Sequence, residues 1–302
     1  MPIIIPKGIP AFKTLEQENI FVMDKERAVR QDIRPIEIAV LNLMPTKIET
    51  ETQLIRLLSN SPLQINLTLL KTETYESRNV GKEHLEKFYK NFSDVRHRNF
   101  DGMIITGAPV ETMEFEDVGY YKELTDILDF AKSNVTSTLF ICWGAQVALY
   151  YYHGIGKNNL RKKLSGIYEH YKTVQFDPLL KGVDDKFFIP HSRYTEVNQK
   201  GLKEHKALRV LAESKKAGVA IAKSADDKNF FLFGHSEYDA DTLNKEYIRD
   251  KDKGINPEKP FNYFDKDGGI SVTWRGAATL IFSNWLNYYV YQVTPYDIGN
   301  RE

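Results

Sequence analysis

Apolar positions recur along this chain in two rhythms, and their alternation predicts the architecture. From Ile36 to Leu43 the run Ile-Glu-Ile-Ala-Val-Leu-Asn-Leu is almost continuously apolar and reads as a buried strand. Met44-Pro45 stops it. Thr46 then opens a predicted helix to about Ser59, with Glu49 at the third helical position closing a capping box and Leu54, Leu57 and Leu58 on the apolar face. Gln64 to Leu70 alternates as a second strand, and a short helix is predicted around His84 to Tyr89. Gly102 to Thr106 gives a third strand that runs into Gly107-Ala108-Pro109. Tyr120 to Ala131 has helical spacing, and Thr138 to Cys142 is the next strand. Strands alternating with helices between residues 36 and 153 predict a parallel sheet with both faces covered.

Beyond Gly154 the texture changes. Lysines cluster over 157–163, and short runs at Thr173–Phe176, Phe187–Ile189, Val219–Ala222 and Phe230–Phe233 predict antiparallel strands added to the same sheet. Asp241 to Lys251 is predicted helical, 254–269 a loop bearing proline and glycine, and Gly276 to Tyr291 a last helix with Leu280, Ile281, Trp285, Leu286 and Tyr289 at helical spacing. Residues 1–34 carry three prolines and a charged middle from Met23 to Arg34, so they read as an irregular arm packed on the body. Residues 35–302 read as one α/β domain, with no repeat or linker to divide it.

Composition narrows the function classes. A chain of 302 residues, 42% hydrophobic and 27% charged, suits a globular protein with a full core. Lysines plus arginines equal aspartates plus glutamates at 41 each, so no overall field draws it to nucleic acid or an anionic membrane. One cysteine excludes an intrachain disulfide and a cysteine-based zinc cluster, and no metal site is expected. Met-Pro-Ile-Ile-Ile-Pro is too short and proline-broken for a signal peptide, and no apolar run nears the roughly 18 residues of a membrane span. The expected location is the cytoplasm.

The chemistry gathers around that cysteine. Ser137 to Ala145 reads as a strand feeding a tight turn feeding a helix, which lifts Cys142 to the carboxyl edge of the sheet beside helix N-terminal amides. Such a setting lowers a thiol pKa from its free value of about 8.5 and offers the next amide to an oxyanion. Gly144 relieves crowding at the turn. A small core residue is the alternative reading of a lone cysteine. A thiol nucleophile needs a base and a group to orient it, and Gly234-His235-Ser236-Glu237 supplies both directly after the last β-like run.

Cysteine at an elbow followed by a later His-x-Glu resembles the class I glutamine amidotransferase-like fold, a flavodoxin-like, mostly parallel α/β sheet. Thr106-Gly107-Ala108-Pro109 stands where that family keeps its oxyanion loop. Phe140, two before the cysteine, replaces the usual glycine and argues against glutamine hydrolysis. The resemblance sharpens to the homoserine O-acyltransferases of methionine biosynthesis. It is carried by Asn42-Leu43-Met44-Pro45-Thr46-Lys47, Phe140 to Gln146, Pro190-His191-Ser192-Arg193-Tyr194, His235-Ser236-Glu237-Tyr238 and Trp274-Arg275, across nearly the whole chain.

The resemblance implies a ping-pong transfer through an acyl-thioester on Cys142, with His235 as base, Glu237 orienting it, and no bound cofactor. It implies substrate contacts at Lys163, Ser192 and Arg249. Glu246, three before Arg249 on the predicted helix, suits the ammonium of zwitterionic homoserine as Arg249 suits its carboxylate. The amides of Trp143, Gly107 and Ala108 are oxyanion candidates, with Lys47 as an aid to the oxyanion or coenzyme. At Glu111 the family carries glutamate for acetyl and glycine for succinyl transfer, and a carboxylate there both fills the acyl pocket and repels succinate. Acetyl-CoA is therefore the expected donor and homoserine the acceptor, with a homodimer implied. Succinyl transfer from succinyl-CoA is the alternative, followed by a glutamine hydrolase or a non-catalytic amidotransferase-like subunit.

Overall fold

The computed structural model describes residues 3–18, 20, 22–24, 26, 34–74 and 81–294. Its centre is a parallel sheet built by β3 (Ile36–Leu41), β4 (Ile65–Lys71), β6 (Phe100–Ile105) and β7 (Val135–Ile141). Alternate side chains of these strands supply two separate cores. Ile38, Val40, Ile104, Leu139 and Ile141 join one cluster, whereas Ala39, Leu41, Met103, Ile105 and Phe140 join the other. Both faces are therefore apolar, as the near-continuous hydrophobic runs require.

Helices cover each face. α2 (Lys47–Ser59) places Leu54, Ile55 and Leu58 in the first core, together with Ile281, Phe282 and Trp285 from α8 (Arg275–Asn284) and the π-helical turn Trp285–Tyr291 that continues it. α4 (Tyr121–Asn134) and α5 (Trp143–His153) place Leu124, Ile127, Val147 and Leu149 in the second. α3 (Lys82–Phe88) and the short β5 (Tyr89–Asn91) border β4.

The second half of the chain extends the same sheet. β12 (Asn229–Leu232) pairs in parallel with β7 and antiparallel with β11 (Gly218–Ser224), so it is the seam between the two halves. β10 (Leu208–Ser214), β8 (Lys157–Lys172) and β9 (Lys186–Val197) follow outward in antiparallel pairs. α6 (Gln199–Glu204) joins β9 to β10, and α7 (Thr242–Asp252) stands at the carboxyl edge of the parallel strands, against the N-terminal half of α2.

Four local expectations change. Thr46 caps no amide with its side chain, and Glu49 instead reaches α7, where it accepts from Lys245 at 3.3 Å. Thr173–Phe176 leaves the sheet after Lys172 in a bend, and Phe176 is 83% exposed. The lysine-rich 157–163 is the start of a 16-residue strand, since long basic side chains hang from a ribbon that is open to water at this end. The N-terminal segment contains α1 (Pro10–Gln17) and the two-residue strands β1 (Ile3–Ile4) and β2 (Val22–Met23), with β1 paired to β4. Most of the charged stretch 23–34 lies outside the described residues.

Candidate active site

Cys142 occupies the turn between β7 and α5 with φ of 50°, a left-handed conformation rare for a residue with a Cβ. Its amide donates to Leu232 of β12 at 2.7 Å, and its carbonyl accepts from Gln146 at 3.2 Å. Close packing forces the sharpness of the turn. A Cβ at Gly144 would lie 2.7 Å from the Thr106 carbonyl oxygen and 2.8 Å from that of Ile105. At Gly107 a Cβ would lie 3.3 Å from the Cys142 Cβ and 3.7 Å from the His235 ring, so the loop after β6 closes over both side chains. Trp143 begins α5, and its amide is among those a helix leaves without an intrahelical acceptor.

His235 lies three residues past β12. Its Nδ1 meets Glu237 Oε1 at 2.7 Å, its ring stacks on Tyr238 with centroids 4.3 Å apart, and its amide donates to the Pro190 carbonyl of β9 at 2.8 Å. Burial presses the imidazole toward its neutral form. The Cys142 sulfur, and the Glu237 carboxylate bonded to Nδ1, outweigh that penalty and hold its pKa well above the ordinary histidine value. Cys142 is 6% exposed, His235 3% and Glu237 8%, so bulk water is largely kept from the three groups.

A cavity of about 620 Å³ opens above this pair, and the walls include Gly107, Ala108, Glu111, Cys142, Lys163, Ser192, His235, Glu246 and Arg249. The fold thus brings together residues from six separate segments. Glu246 accepts from the Ser192 hydroxyl and from Tyr238 at 2.9 Å. Lys163 lies 3.6 Å from Glu246 and donates to Asp250 at 2.7 Å. Arg249 turns to Asp250, which accepts at 3.0 and 2.8 Å, rather than to Glu246. Asp250 is buried, and Lys163 and Arg249 outweigh its burial penalty and keep its carboxyl below the ordinary range.

Glu111 is fixed from the other wall. Its Oε2 accepts from the amides of Tyr194 and Thr195 at 2.8 and 3.1 Å and lies 3.1 Å from the Thr195 hydroxyl. Burial raises its pKa against these bonds. Lys47 does not reach this cavity wall. Its buried amine donates to the Asn42 carbonyl, and burial lowers its pKa to about 8 despite the nearby Glu51.

Sequence reasoning missed Asp250, Tyr238 and Thr195. Asp250 stands four after Glu246, the spacing of one helix face, and that was its available signal. Tyr238 stands three after His235, on which it stacks, and eight before Glu246, so its place in the His235-Ser236-Glu237-Tyr238 run was its signal; Thr195 had none, because Glu111 and Gln146 are distant in the chain. Among the described residues no group of three or more His, Cys, Asp or Glu side chains is arranged to hold a metal ion.

Known proteins share both the fold and the sequence. A glutamine amidotransferase from Thermotoga maritima superposes with a TM-score of 0.55 at 13% identity, covering 84% of this chain and 97% of its own, which is a likeness of fold. A homoserine O-acetyltransferase of Clostridium acetobutylicum is 55% identical over 301 residues, 99% of this chain and 100% of that one. Another from a Geobacillus species is 56% identical over 300 residues, covering 98% and 99%. The model of the homoserine O-succinyltransferase family matches residues 2–296, a span that holds every element around the cavity, and the chain belongs to that family.

Proposed function

We propose that the protein is a homoserine O-acetyltransferase that moves an acetyl group from acetyl-CoA to the hydroxyl of L-homoserine and so serves methionine biosynthesis. The observation that carries this reading is identity above one half, along the full length of both chains, to a protein named for that activity. Glu111 in the wall of the cavity favours the same donor, because a carboxylate beside the acyl pocket opposes a second carboxylate on the acyl group.

In the first half-reaction the Cys142 sulfur attacks the thioester carbonyl of acetyl-CoA. The carbon–sulfur bond to coenzyme A breaks, and the His235 imidazolium gives its proton to the departing thiolate. In the second, His235 takes the proton of the homoserine hydroxyl as that oxygen attacks the acetyl carbon. The Cys142 thiolate leaves with the bond's electron pair, and the protonated imidazole remains beside it. Glu237 fixes the ring and favours its charged form, as the 2.7 Å contact supports. The amides of Trp143, Gly107 and Ala108 are donors for the oxyanion of each tetrahedral intermediate. Lys47 has a separate role, bracing the turn from β3 into α2 through the Asn42 carbonyl.

The second substrate is a zwitterion. Arg249, about half exposed at the mouth, and Lys163 suit its carboxylate, while Glu246 and the Ser192 hydroxyl suit its ammonium. Asp250 holds the two cations in place without meeting the substrate.

Mass spectrometry after mixing with acetyl-CoA alone tests the reading. An acetyl adduct mapped to Cys142 and discharged by homoserine supports it; a succinyl adduct from succinyl-CoA, with none from acetyl-CoA, keeps the mechanism and overturns the donor. The homodimer implied by the family is tested by sedimentation equilibrium.

A further inference from the structure

The segment that carries Glu111 has no regular structure of its own. Between β6 and α4 the chain runs from Thr106 to Tyr120 in turns and bends, and Gly107, Ala108, Glu111 and Thr112 of this stretch line the reaction cavity. Irregular chain makes a fixed wall only where neighbouring elements hold it. β9 holds the side chain of Glu111, through the amides of Tyr194 and Thr195. The backbone is held from a second strand. Lys157, the first residue of β8, donates its amine to the Glu111 carbonyl at 2.6 Å and to the Met113 carbonyl, and the same amine lies 4.5 Å from the centre of the Phe115 ring.

Both holds come from one end of the β8–β9 ribbon. Lys157 pairs with Val197 and Asn159 with Thr195, so the amine and the amides that grip Glu111 stand two residue pairs apart. Glu111 is therefore fixed at its two ends, the carbonyl from β8 and the carboxylate from β9. A bond from an ammonium to a carbonyl is stronger than one between neutral groups. Burial lowers the Lys157 pKa, and the carboxylates of Glu114, Glu111 and Glu116 on the same loop act against it. The Phe115 ring beneath the amine stacks in turn on Tyr150 of α5 with centroids 4.7 Å apart, which ties this part of the loop to the helix that follows the elbow. Lys157 itself stands outside the cavity wall. Any effect it has on the reaction passes through the loop it holds.

We propose that Lys157 is a positioning residue for donor choice, which holds the backbone of Glu111 so that its carboxylate fills the acyl pocket to a fixed depth and limits the size of the acyl group. The assignment rests on the reading of Glu111 as the residue that selects the donor. Removing the amine frees the loop at the Glu111 and Met113 carbonyls but leaves the carboxylate bonded to β9. The pocket then keeps its charge and loses its exact width. An acyl group longer by one methylene reports that change, because a single methylene in a fitted pocket alters kcat/KM by about 10–200-fold.

The test compares kcat/KM for acetyl-CoA and propionyl-CoA in the full-length enzyme. Lys157→Met is expected to lower the ratio of acetyl to propionyl transfer about tenfold, with KM for homoserine unchanged. Lys157→Arg can donate to both carbonyls and stack on Phe115, so its ratio stays near the parent's. A residue that only fastened the fold would lower Tm and slow both donors alike. A Lys157→Met ratio equal to the parent's therefore overturns the proposal, as does a Lys157→Arg ratio that falls as far as that of Lys157→Met. In a Glu111→Gly background, Lys157→Met is expected to leave the ratio where Glu111→Gly has set it; a further fall of the same size overturns action through Glu111. Should Lys157→Met not fold, Lys157→Gln, an uncharged donor, is read in the same way. A Glu111→Gly enzyme that discriminates between the two donors as the parent does overturns the reading of Glu111 itself, a result distinct from an unmoved ratio in Lys157→Met.

Discussion

The amide of Cys142 donates to the carbonyl of Leu232 at 2.7 Å, immediately beyond the paired residues Ile141 and Leu232 of β7 and β12. This bond sets the height of the elbow relative to the turn that carries His235, three residues further on. Both strands run in the same direction there, so both deliver their next residues to one edge of the sheet. The nucleophile and its base are neighbours because of strand order.

Cys142→Ser is expected to fold as the parent does and to form no acetyl-thioester. An alkoxide is far harder to generate beside the same imidazole than a thiolate. Intact-protein mass after mixing with acetyl-CoA checks this, and an adduct of unchanged yield at residue 142 contradicts the assigned nucleophile.

Glu237→Gln removes the carboxylate that meets His235 at 2.7 Å. The turnover number is expected to fall on the order of 10²-fold or more. The pH profile carries a second sign. Glu237 is one of the groups raising the His235 pKa, so without it the imidazolium is lost at lower pH and the alkaline limb moves to lower pH. Melting followed by circular dichroism separates this from a folding defect.

Gly144→Ala places a methyl where two backbone carbonyl oxygens stand at 2.7 and 2.8 Å. Neither is the end of a flexible side chain, so the elbow or the loop after β6 has to shift. Destabilisation of about 1–3 kcal/mol is expected, with a loss of activity larger than the fall in Tm accounts for, since the shifted groups are those around Cys142.

Glu111→Gly opens the acyl pocket and removes its charge, so succinyl-CoA is expected to become a donor. The same change leaves the Tyr194 and Thr195 amides without their acceptor, at a cost of about 1–3 kcal/mol. Side-by-side assays with the two donors decide it; a variant that stays restricted to acetyl-CoA places donor choice elsewhere.

Asp250→Asn keeps the shape of the group that holds Lys163 and Arg249 but weakens both charged bonds, each worth about 1.5–3 kcal/mol. KM for homoserine is expected to rise about tenfold or more, with the yield of acetyl-enzyme unchanged. A loss of acetyl-enzyme instead would show that the cluster serves the coenzyme.

The sequence by itself determined the parallel half of the sheet, the elbow and the His-x-Glu turn. These are local signals: doubly buried strands must be apolar throughout, a nucleophile turn needs small residues beside it, and two side chains in one turn find each other without help from the rest of the fold. The antiparallel half was only partly legible. β8 begins in a lysine-rich run whose strand character comes from pairing with β9, and β9 shows only three of its residues as an apolar run because its buried face carries His191, Arg193 and Thr195. Tertiary structure alone decided that Glu111 is held by Tyr194 and Thr195, that Asp250 meets Lys163 and that Arg193 lies buried with no ion pair among the described residues. The Glu111 and Lys163 contacts join residues dozens of positions apart, and no periodicity encodes them. Strand order and the closeness of packing at Gly107 and Gly144 bring them together.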